Sequence, residues 1–589
     1  LPIFENRYCV MSASGDRTLS EARDRVVNDR SANGRIILDC RNGDMPGLGI
    51  VKEYWIENNG LRRKLTFTGG AGAGKQYLTP VTELFFAPEF RRGSYILGSG
   101  YIGPLIPFPQ VTEPTPVVQY YQTTKGMVLS NPPGRKSFAH YRLQLNDKTV
   151  FPWWQSTINS YREKPNILYY TPDGWSMALG TIDLEPGKRF SVTDTMNLFG
   201  GTWFEFFDDV YGADPVVRGE LDAIRPTPEW LKDVRLVTFD KSELGLRRLA
   251  EATGDGYIMV LLMRLTGDWG DYRFDKDGAN GFFGGHISGP ELRDYIKSLK
   301  AISPRIKVGL YNWITSADVA APVYKEHPEW FKSLDRDGNE SHLFPGSAPN
   351  FGTMVNRPDC AEFMWKQLLE SSDYLGTDYI YLDETKTTNF INWQTGELVR
   401  DDHWYDLWRN LKAHSAKPLF FNGRGNPYGD INFIEAYHQL EPGMWREFAG
   451  MGLGVEAFLK LRPDARISPL YWNSKVDYAT RLLALGWIPT LADSTDNLLN
   501  HLDFVRAAYE TGNADPLNAV YTPDWKKDPA TKIESYAVRR RDSSDVLMSF
   551  INRTGKTGDV PVSVDLASLG FKPAERINIW GMKVDKDTE

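Results

Sequence analysis

Alternation of short apolar runs with longer amphipathic segments, which begins near residue 226, limits the fold of this chain more than any other feature of its sequence. Such alternation is typical of βα units, in which helices cover a parallel sheet. The predicted strands are Val234–Phe239, Tyr257–Met263, Ile306–Tyr311, Asp378–Asp383, Pro418–Asn422, Asn432–Tyr437, Arg466–Trp472 and Ile488–Asp493. The predicted helices are Glu243–Ala252, Pro290–Leu299, Ala361–Ser372, Trp404–Ala413, Val476–Leu485 and Leu498–Tyr509. Eight strands over roughly 285 residues predict a central (β/α)8 TIM barrel.

The sequence on either side of this block has a different pattern. Before it, short strand-like runs are separated by Gly, Pro and Asn clusters, which predicts an N-terminal antiparallel β-sandwich, and the run Trp203–Val210 predicts a linking helix. Strand-like runs return near the end, at Glu534–Val538, Val546–Ile551 and Val560–Val564. We therefore expect a multidomain α/β and all-β chain: a β-sandwich over 1–225, a barrel over 226–515 and a small C-terminal antiparallel β-domain over 516–589.

Charge and hydropathy exclude several classes of protein. The chain has 589 residues and a net charge of −8, without a basic stripe of the kind that binds a phosphate backbone, so we expect no nucleic-acid partner. No apolar run approaches the ~18 residues of a membrane-spanning helix. The chain opens at Leu1 without Met, which would fit removal of a leader and gives the expectation of a secreted or periplasmic protein.

Aromatic residues are the one compositional feature that points to a ligand. The chain has 18 Trp, 28 Tyr and 30 Phe. Aromatic planes stack on the C–H faces of sugars, but they also fill large cores, and composition alone leaves both readings open.

Polar and aromatic residues follow the ends of most predicted barrel strands, and the active sites of such barrels lie at these strand ends. They are Arg264, Asp268, Trp269, Tyr311, Trp313, Asp383, Asn422, Arg424, Glu435, His438, Trp472 and Asp493. Glycosyl transfer needs one carboxylate to attack or stabilise the anomeric carbon and a second to protonate the leaving oxygen. The set therefore predicts a carbohydrate-active site.

The fourth predicted strand carries the strongest local signal. Strand alternation puts Tyr379, Tyr381 and Asp383 on one face and Ile380, Leu382 and Glu384 on the other. The aliphatic face suits packing against helices. Of the two adjacent acids, Asp383 is therefore the one expected to point into the barrel mouth.

The middle block resembles the glycoside hydrolase clan that holds the α-galactosidases and, more distantly, the α-glucosidases. The matching stretches are Gly267–Trp269 with Arg273–Asp275 and Gly278, Lys307–Tyr311, His327–Trp330 with the turn at Asp337–Gly338, and Asp378–Asp383. The last stretch is similar to the clan's D-Y-x-K-x-D strand. The resemblance implies a retaining mechanism in which Asp383 is the nucleophile.

The same resemblance implies a second carboxylate at the end of strand six, where the clan has Asp. This chain offers Glu435, which we assign as the acid/base, with Asp493 on strand eight as the alternative. A buried Glu435 paired with Arg446 or Arg424 is the competing structural reading.

Two departures from the clan concern groups that bind sugar hydroxyls. Galactosidases of the clan have paired Asp residues where this chain has Leu262-Met263-Arg264, and Lys where it has Tyr381. We therefore do not expect galactose itself as the substrate. Arg264 and Arg424 could instead clasp a carboxylate, a sulfate or another substituent.

No cofactor is expected. The run Gly69–Lys75 fits the core of a phosphate loop, but Gln76 stands where Ser or Thr would hold Mg²⁺, so we expect a glycine-rich hairpin. His403, His438 and His501 show no metal-ligand spacing, and we expect no metal.

The sequence thus predicts a retaining glycoside hydrolase that cleaves an α-type linkage in an oligo- or polysaccharide. Three alternatives stay open: a transglycosylase with the same carboxylates, an inverting glycosidase, and a non-catalytic carbohydrate-binding protein on a barrel scaffold. In the last of these, Trp269, Trp313 and Trp472 would stack on sugar. The sequence does not set the oligomeric state, and a homo-oligomer is compatible with it.

Overall fold

The computed structural model describes the chain in segments, and every structural statement below concerns these residues. They are 3–58, 60–70, 75–85, 95–97, 106–107, 136–145, 148–159, 167–171, 174–178, 182–200, 209, 213, 218, 222, 225–262, 270–273, 287–314, 316–319, 321–331, 337–338, 351–353, 357–383, 390–393, 395–399, 402–422, 436–439, 466–469, 490–491, 514–516, 533–540, 546–552 and 572.

The N-terminal part forms two antiparallel sheets. Across the first sheet the strands are β12 (Ile167–Thr171), β13 (Gly174–Ala178), β7 (Gln76–Phe85), β1 (Ile3–Ser12) and β2 (Gly15–Ser20), and β14 (Ile182–Asp183) also pairs with β7. Across the second they are β3 (Asp24–Asp29), β4 (Arg35–Asn42), β5 (Met45–Glu57), β6 (Gly60–Thr68), β15 (Arg189–Gly200), β11 (Lys148–Asn159), β10 (Lys136–Leu145), β8 (Tyr95–Leu97) and β9 (Ile106–Pro107). A single 3₁₀ turn, Glu21–Arg23, joins β2 to β3.

Polar groups are buried between these two sheets. Lys52 on β5 contacts Glu21, and its Nζ lies 2.7 Å from Asp24 Oδ2. The hydroxyl of Tyr8 on β1 donates to the same Asp24 oxygen at 2.8 Å, while its ring meets Phe67 of β6 edge-on, with ring centroids 5.5 Å apart. Burial by itself lowers the pKa of Lys52, but the charges of Glu21 and Asp24 outweigh it and raise the pKa above its ordinary value. The buried ammonium is therefore charged and paired.

The glycine-rich run Gly69–Lys75 is not the hairpin that the sequence predicts. The strand before it, β6, belongs to the second sheet, and the strand after it, β7, belongs to the first. A Cβ on Gly69 would lie 2.5 Å from the carbonyl oxygen of Glu185, and one on Gly70 would lie 2.2 Å from that of Gly47. The glycines are thus required because the chain crosses between sheets at close backbone contact.

A parallel sheet of eight strands is confirmed within the described residues. Its strands are β16 (Val234–Thr238), β17 (Tyr257–Leu262), β18 (Ile306–Trp313), β21 (Tyr379–Asp383), β24 (Leu419–Asn422), β25 (Ala436–Gln439), β26 (Arg466–Pro469) and β27 (Thr490–Leu491). They lie in chain order from β16 to β26, and β27 returns to pair with the other side of β16. The sheet is therefore curled, although no pair in the described ranges joins β26 to β27.

Helices occupy the segments that the amphipathic pattern predicts. Those described are α1 (Glu229–Lys232), α2 (Glu243–Thr253), α3 (Gly289–Ile302), α4 (Pro322–Glu326), α5 (Pro328–Phe331), α6 (Pro358–Leu375) and α7 (Asp402–His414). At the start of α3, Ser288 and Glu291 form a reciprocal capping box, and α6 ends at Gly376 with φ +69°. The helices predicted at Val476–Leu485 and Leu498–Tyr509 lie outside the described residues.

Two short strand pairs and one three-stranded sheet complete the described architecture. They are β19 (Ser316–Asp318) with β20 (Phe351–Thr353), β22 (Phe390–Asn392) with β23 (Glu397–Val399), and an antiparallel sheet of β28 (Ala514–Pro516), β29 (Ile533–Arg540) and β30 (Val546–Asn552). The predicted strand Val560–Val564 and, apart from Asp209, the predicted linking helix Trp203–Val210 lie outside the described residues. No helix among the described residues is long and apolar enough to cross a membrane.

Replacing Lys52 by Met is expected to lower the free energy of unfolding by about 3–5 kcal/mol, because Asp24 would stay buried without its counter-charge. The matched control is Lys64→Met, whose Nζ lies 3.8 Å from Glu53 and whose side chain is 37% exposed against 7% for Lys52. Its expected cost is roughly 0–1 kcal/mol. Urea unfolding followed by circular dichroism measures both. Equal midpoints for the two variants would contradict the role given to Lys52.

Candidate active site

The two faces of the parallel sheet carry different side chains. The outward row includes Ile258, Val260 and Leu310, which pack with α2 and α3 in one buried cluster. The inward face carries a second cluster, whose members are Val237, Met259, Leu261, Tyr311, Tyr379, Tyr381 and Phe420, together with Leu231 and Val234. The face predicted for Tyr379 and Tyr381 is thereby confirmed.

The side chain of Tyr379 spans three neighbouring strands of the sheet. Its hydroxyl donates to the carbonyl oxygen of Val260 on β17 at 2.9 Å, and so its ring crosses the intervening strand β18. A Cβ on Gly309 of β18 would lie 2.2 Å from Cε2 of that ring. Burial raises the pKa of Tyr379 well above its usual value, which keeps the phenol protonated as a donor.

Asp383 ends β21 above this layer of rings. Its Oδ2 accepts a hydrogen bond from the hydroxyl of Tyr311 on the neighbouring strand β18. The ring of Tyr311 stacks on Tyr381, with centroids 5.5 Å apart and planes 30° apart. Asp383 is 7% exposed and Tyr311 is 9% exposed. The structure therefore places a carboxylate at the carboxyl edge of the sheet, on the face of the aromatic layer.

Three further predicted residues lie at this edge by backbone register. Trp313, partly buried, is the residue of β18 that pairs with Asp383. Asn422 ends β24, one position beyond the pair that joins Phe421 to the strand of Asp383, and pairs with His438 on β25. The backbone thus brings Asp383, Trp313, Asn422 and His438 to one rim.

Tyr381, which the sequence analysis also assigns to substrate binding, lies in the layer of rings below Asp383. It is 1% exposed, and its ring meets Phe420 edge-on, with centroids 5.2 Å apart. In this structure it supports the ring of Tyr311 from below.

A short segment after strand two, residues 270–273, is fixed against the same rim. The hydroxyl of Tyr272 donates to the carbonyl oxygen of Trp313. The buried amide of Gln367 on α6 donates to Gly270 at 3.3 Å and accepts from the Tyr272 N–H at 2.8 Å. Sequence reasoning missed Gln367 and Tyr272, because nothing local marks a helix residue that clamps a loop 97 positions away.

An ion pair completes this anchor. Asp271 is 1% exposed and binds Arg273, whose Nε lies 2.8 Å from Asp271 Oδ1. Asp271 Oδ2 also accepts the N–H of Val323 in the first turn of α4, at 3.0 Å. The hydrogen bonds that Arg273 donates to Asp271 and Glu326 raise its pKa, despite the opposing effect of burial. Asp268 and Trp269 directly precede this anchored segment in the chain.

The remaining predicted site residues lie outside the described residues. They are Arg264, Asp268, Trp269, Arg424, Glu435, Trp472 and Asp493. In the chain, Arg264, Arg424 and Asp493 each come two positions after the described end of a strand of the parallel sheet.

The described part of strand six is β25, Ala436–Gln439, which overlaps the predicted strand Asn432–Tyr437 at Ala436 and Tyr437. Glu435 itself lies outside the described residues. Ala436 pairs with Phe420, which in turn pairs with Tyr381 at the level below Asp383. The next carboxylate after the end of β25 is Glu441, two positions beyond Gln439.

Comparison with known proteins shows the same fold in a bacterial enzyme. No protein-family model matches the chain, and no curated protein matches its sequence. The structure of α-N-acetylgalactosaminidase from Bifidobacterium bifidum in complex with GalNAc matches with a TM-score of 0.59 and 12% identity, over 92% of this chain and 94% of that one. A quadruple mutant of the same enzyme matches with a TM-score of 0.54 and 12% identity, over 89% and 100% of the two chains. The resemblance to α-glycosidases that the motifs indicate is confirmed at the level of the fold.

Replacing Gly309 by Ala is expected to destabilise the protein by about 1–3 kcal/mol or more, because the new methyl group would overlap the ring of Tyr379. Gly47→Ala is the control, since a Cβ there would meet only Gly70 Cα, at an ordinary 3.9 Å. Soluble yield and the midpoint of chemical unfolding report the effect. A Gly309→Ala variant as stable as the control would show that the interior has room to spare.

Proposed function

We propose that this protein is a retaining glycoside hydrolase that cleaves an α-type linkage in an oligo- or polysaccharide, with Asp383 as the nucleophile. The observation that carries the proposal is the position of Asp383: its carboxylate ends the fourth barrel strand on the inward face and is hydrogen-bonded to Tyr311. The match of Asp378–Asp383 to the nucleophile strand of the α-galactosidase clan supports it. So does a fold shared with an enzyme whose name states that it acts on α-linked N-acetylgalactosamine.

The same proposal extends to the architecture. The curled sheet is the described part of a closed (β/α)8 barrel over 226–515. It is flanked by a β-sandwich over 1–225 and a C-terminal β-domain over 516–589. Active sites of such barrels lie at the carboxyl ends of the strands, which is the rim where Asp383 lies.

The first step is attack by one Asp383 oxygen on the anomeric carbon. The bond to the leaving oxygen breaks as the acid/base carboxylic acid donates its proton to that oxygen, and a glycosyl ester forms. In the second step the acid/base carboxylate takes a proton from water, the water oxygen attacks the anomeric carbon, and Asp383 leaves as a carboxylate. Tyr311, by donating to Oδ2, holds the orientation of the carboxylate and stabilises its charge at a buried position.

For the acid/base we propose a carboxylate near strand six or strand eight of the parallel sheet. The sequence assigns Glu435, with Asp493 as the alternative. The described end of strand six at Gln439 adds Glu441, which lies two positions further along the chain. Arg264 and Arg424 are proposed to bind a charged or polar substituent of the sugar.

Replacing Asp383 by Asn is expected to lower kcat/KM by at least about three orders of magnitude, or ~4 kcal/mol of transition-state stabilisation. The assay is product release from 4-nitrophenyl α- and β-glycosides and α-linked oligosaccharides. The α-galactoside, the α-N-acetylgalactosaminide and an anionic sugar belong in the panel. Proton NMR of the first product gives its anomeric form, which is α if the mechanism retains configuration.

Unchanged cleavage by Asp383→Asn would overturn the nucleophile assignment. An inverted first product would favour an inverting glycosidase, and glycosylated acceptors without free sugar would favour a transglycosylase. A wild-type protein that binds a glycan and cleaves none would be a carbohydrate-binding protein.

Replacing the true acid/base by Gln or Asn is expected to slow cleavage of substrates with poor leaving groups by about 10²–10⁴-fold. With an activated 4-nitrophenyl α-glycoside, whose leaving group needs no proton, added azide is expected to attack the glycosyl ester in place of water and to restore turnover as an α-glycosyl azide. Glu435→Gln, Glu441→Gln and Asp493→Asn are compared in parallel, each serving as a control for the others. Azide rescue confined to one variant identifies the residue. Rescue of none would contradict the proposed set.

A further inference from the structure

The hairpin β22–β23 follows Asp383 in the chain and contacts the N-terminal sheets. Residues 384–389 separate it from Asp383. Because a chain spans at most ~3.6 Å per residue, the first residue of the hairpin, Phe390, lies within about 25 Å of Asp383. Loops after the strands of a barrel build its site. The position of this hairpin therefore limits where the loop after the proposed nucleophile can lie.

Two donors from the N-terminal part bind the tip of the hairpin. The hydroxyl of Tyr77 donates to the carbonyl oxygen of Gly396 at 2.7 Å, and the ammonium of Lys75 donates to the same oxygen. The ring of Tyr77 also meets the ring of Trp393 edge-on, with centroids 5.6 Å apart and planes 84° apart. These contacts join residues about 320 positions apart, as the separations of 319 and 321 show.

Gly396 is suited to this contact by its backbone. It has φ +63°, in the left-handed region, and a Cβ there would lie 3.0 Å from Cδ of Lys75. A side chain would thus be strained by the backbone and crowded by Lys75.

Tyr77 offers a rigid platform on the sandwich side. It is 1% exposed and lies on β7, which is paired on one side with β1 and on the other with β13 and β14. Burial, with a smaller contribution from the charge of Asp183, raises the pKa of Tyr77 to about 12. Its hydroxyl therefore stays protonated at all ordinary working pH values and keeps donating.

We infer that the N-terminal sheets position the candidate active site, with Tyr77 and Lys75 as positioning residues that hold the β22–β23 hairpin and thereby the loop that begins at Asp383. This inference rests on the proposed function, because the position of the loop matters for turnover only if Asp383 is the nucleophile. Neither residue touches the reacting atoms. Both act through the backbone of the hairpin.

The test compares Tyr77→Phe with Tyr8→Phe in the full-length protein. Each variant removes one buried hydroxyl from the first sheet, but Tyr8 donates to Asp24 and contacts no residue of the hairpin in the hydrogen bonds and ring contacts described. Amide hydrogen exchange of peptides covering 390–399 reports the hold on the hairpin. Steady-state kinetics on the best glycoside of the panel report the site.

Tyr77→Phe is expected to speed exchange over 390–399 and to lower kcat/KM by roughly three- to tenfold, the effect of one neutral hydrogen bond. Tyr8→Phe is expected to leave both unchanged even if it lowers the unfolding midpoint. Lys75→Met, at an exposed position, is a second variant expected to give a smaller change in the same two readouts.

Either of two results would overturn the inference: exchange over 390–399 that equals wild type in Tyr77→Phe, or faster exchange with unchanged kcat/KM. Both leave the proposed function intact if Asp383→Asn is inactive. If the wild-type protein cleaves nothing, the proposed function fails and the catalytic part of the inference fails with it. The exchange comparison still decides whether Tyr77 holds the hairpin.

Discussion

The candidate site depends on the packing of the aromatic rings on the inward face of the parallel sheet, and that packing requires one position without a side chain. Gly309 leaves the space on β18 through which Tyr379 reaches the carbonyl oxygen of Val260, so that one side chain ties three neighbouring strands. Because inward positions recur every second residue, about 6.6 Å apart along a strand, Tyr381 lies above Tyr379 and Asp383 above Tyr381. The ring layers therefore set the height at which the carboxylate meets the rim.

A carboxylate at that position is costly to keep unless its charge is met by donors. Asp383 is 7% exposed, and the layer beneath it consists of rings that stack on one another. An ionised group withdrawn from water loses hydration that only hydrogen bonds or counter-charges replace. Tyr311 supplies one such bond and is itself oriented by Tyr381. An apolar residue would pack more easily at this position, and polar groups kept at a cost in stability are concentrated at functional sites, which agrees with the role proposed for Asp383.

The strands of the parallel sheet could be predicted from the sequence because both of their faces follow simple rules. Apolar runs bounded by capped amphipathic helices recur throughout the block, and the alternation in Tyr379–Asp383 puts the rings on one face. Local pattern is weaker at boundaries, so strand three was predicted over Ile306–Tyr311 although it runs on to Trp313. It also carries no information on partners far apart in the chain. The Gln367 clamp, the buried pairs of Lys52 and the crossing at Gly69 each depend on a distant segment.

The contact between Tyr77 and Gly396 has a physical consequence for any chemistry at the rim. When a loop becomes ordered only on substrate binding, its loss of conformational entropy weakens the binding. A loop that the fold already holds in place loses little further entropy when substrate binds. Displacing a catalytic group by about 1 Å lowers the reaction rate steeply, so a fixed loop after the proposed nucleophile, Asp383, would preserve its geometry between turnovers. The hairpin is held by a buried phenol on a strand paired on both sides, through a glycine that accepts both donors at one oxygen. The N-terminal sheets and the hairpin that follows Asp383 in the chain are in this way joined by direct contacts within the fold.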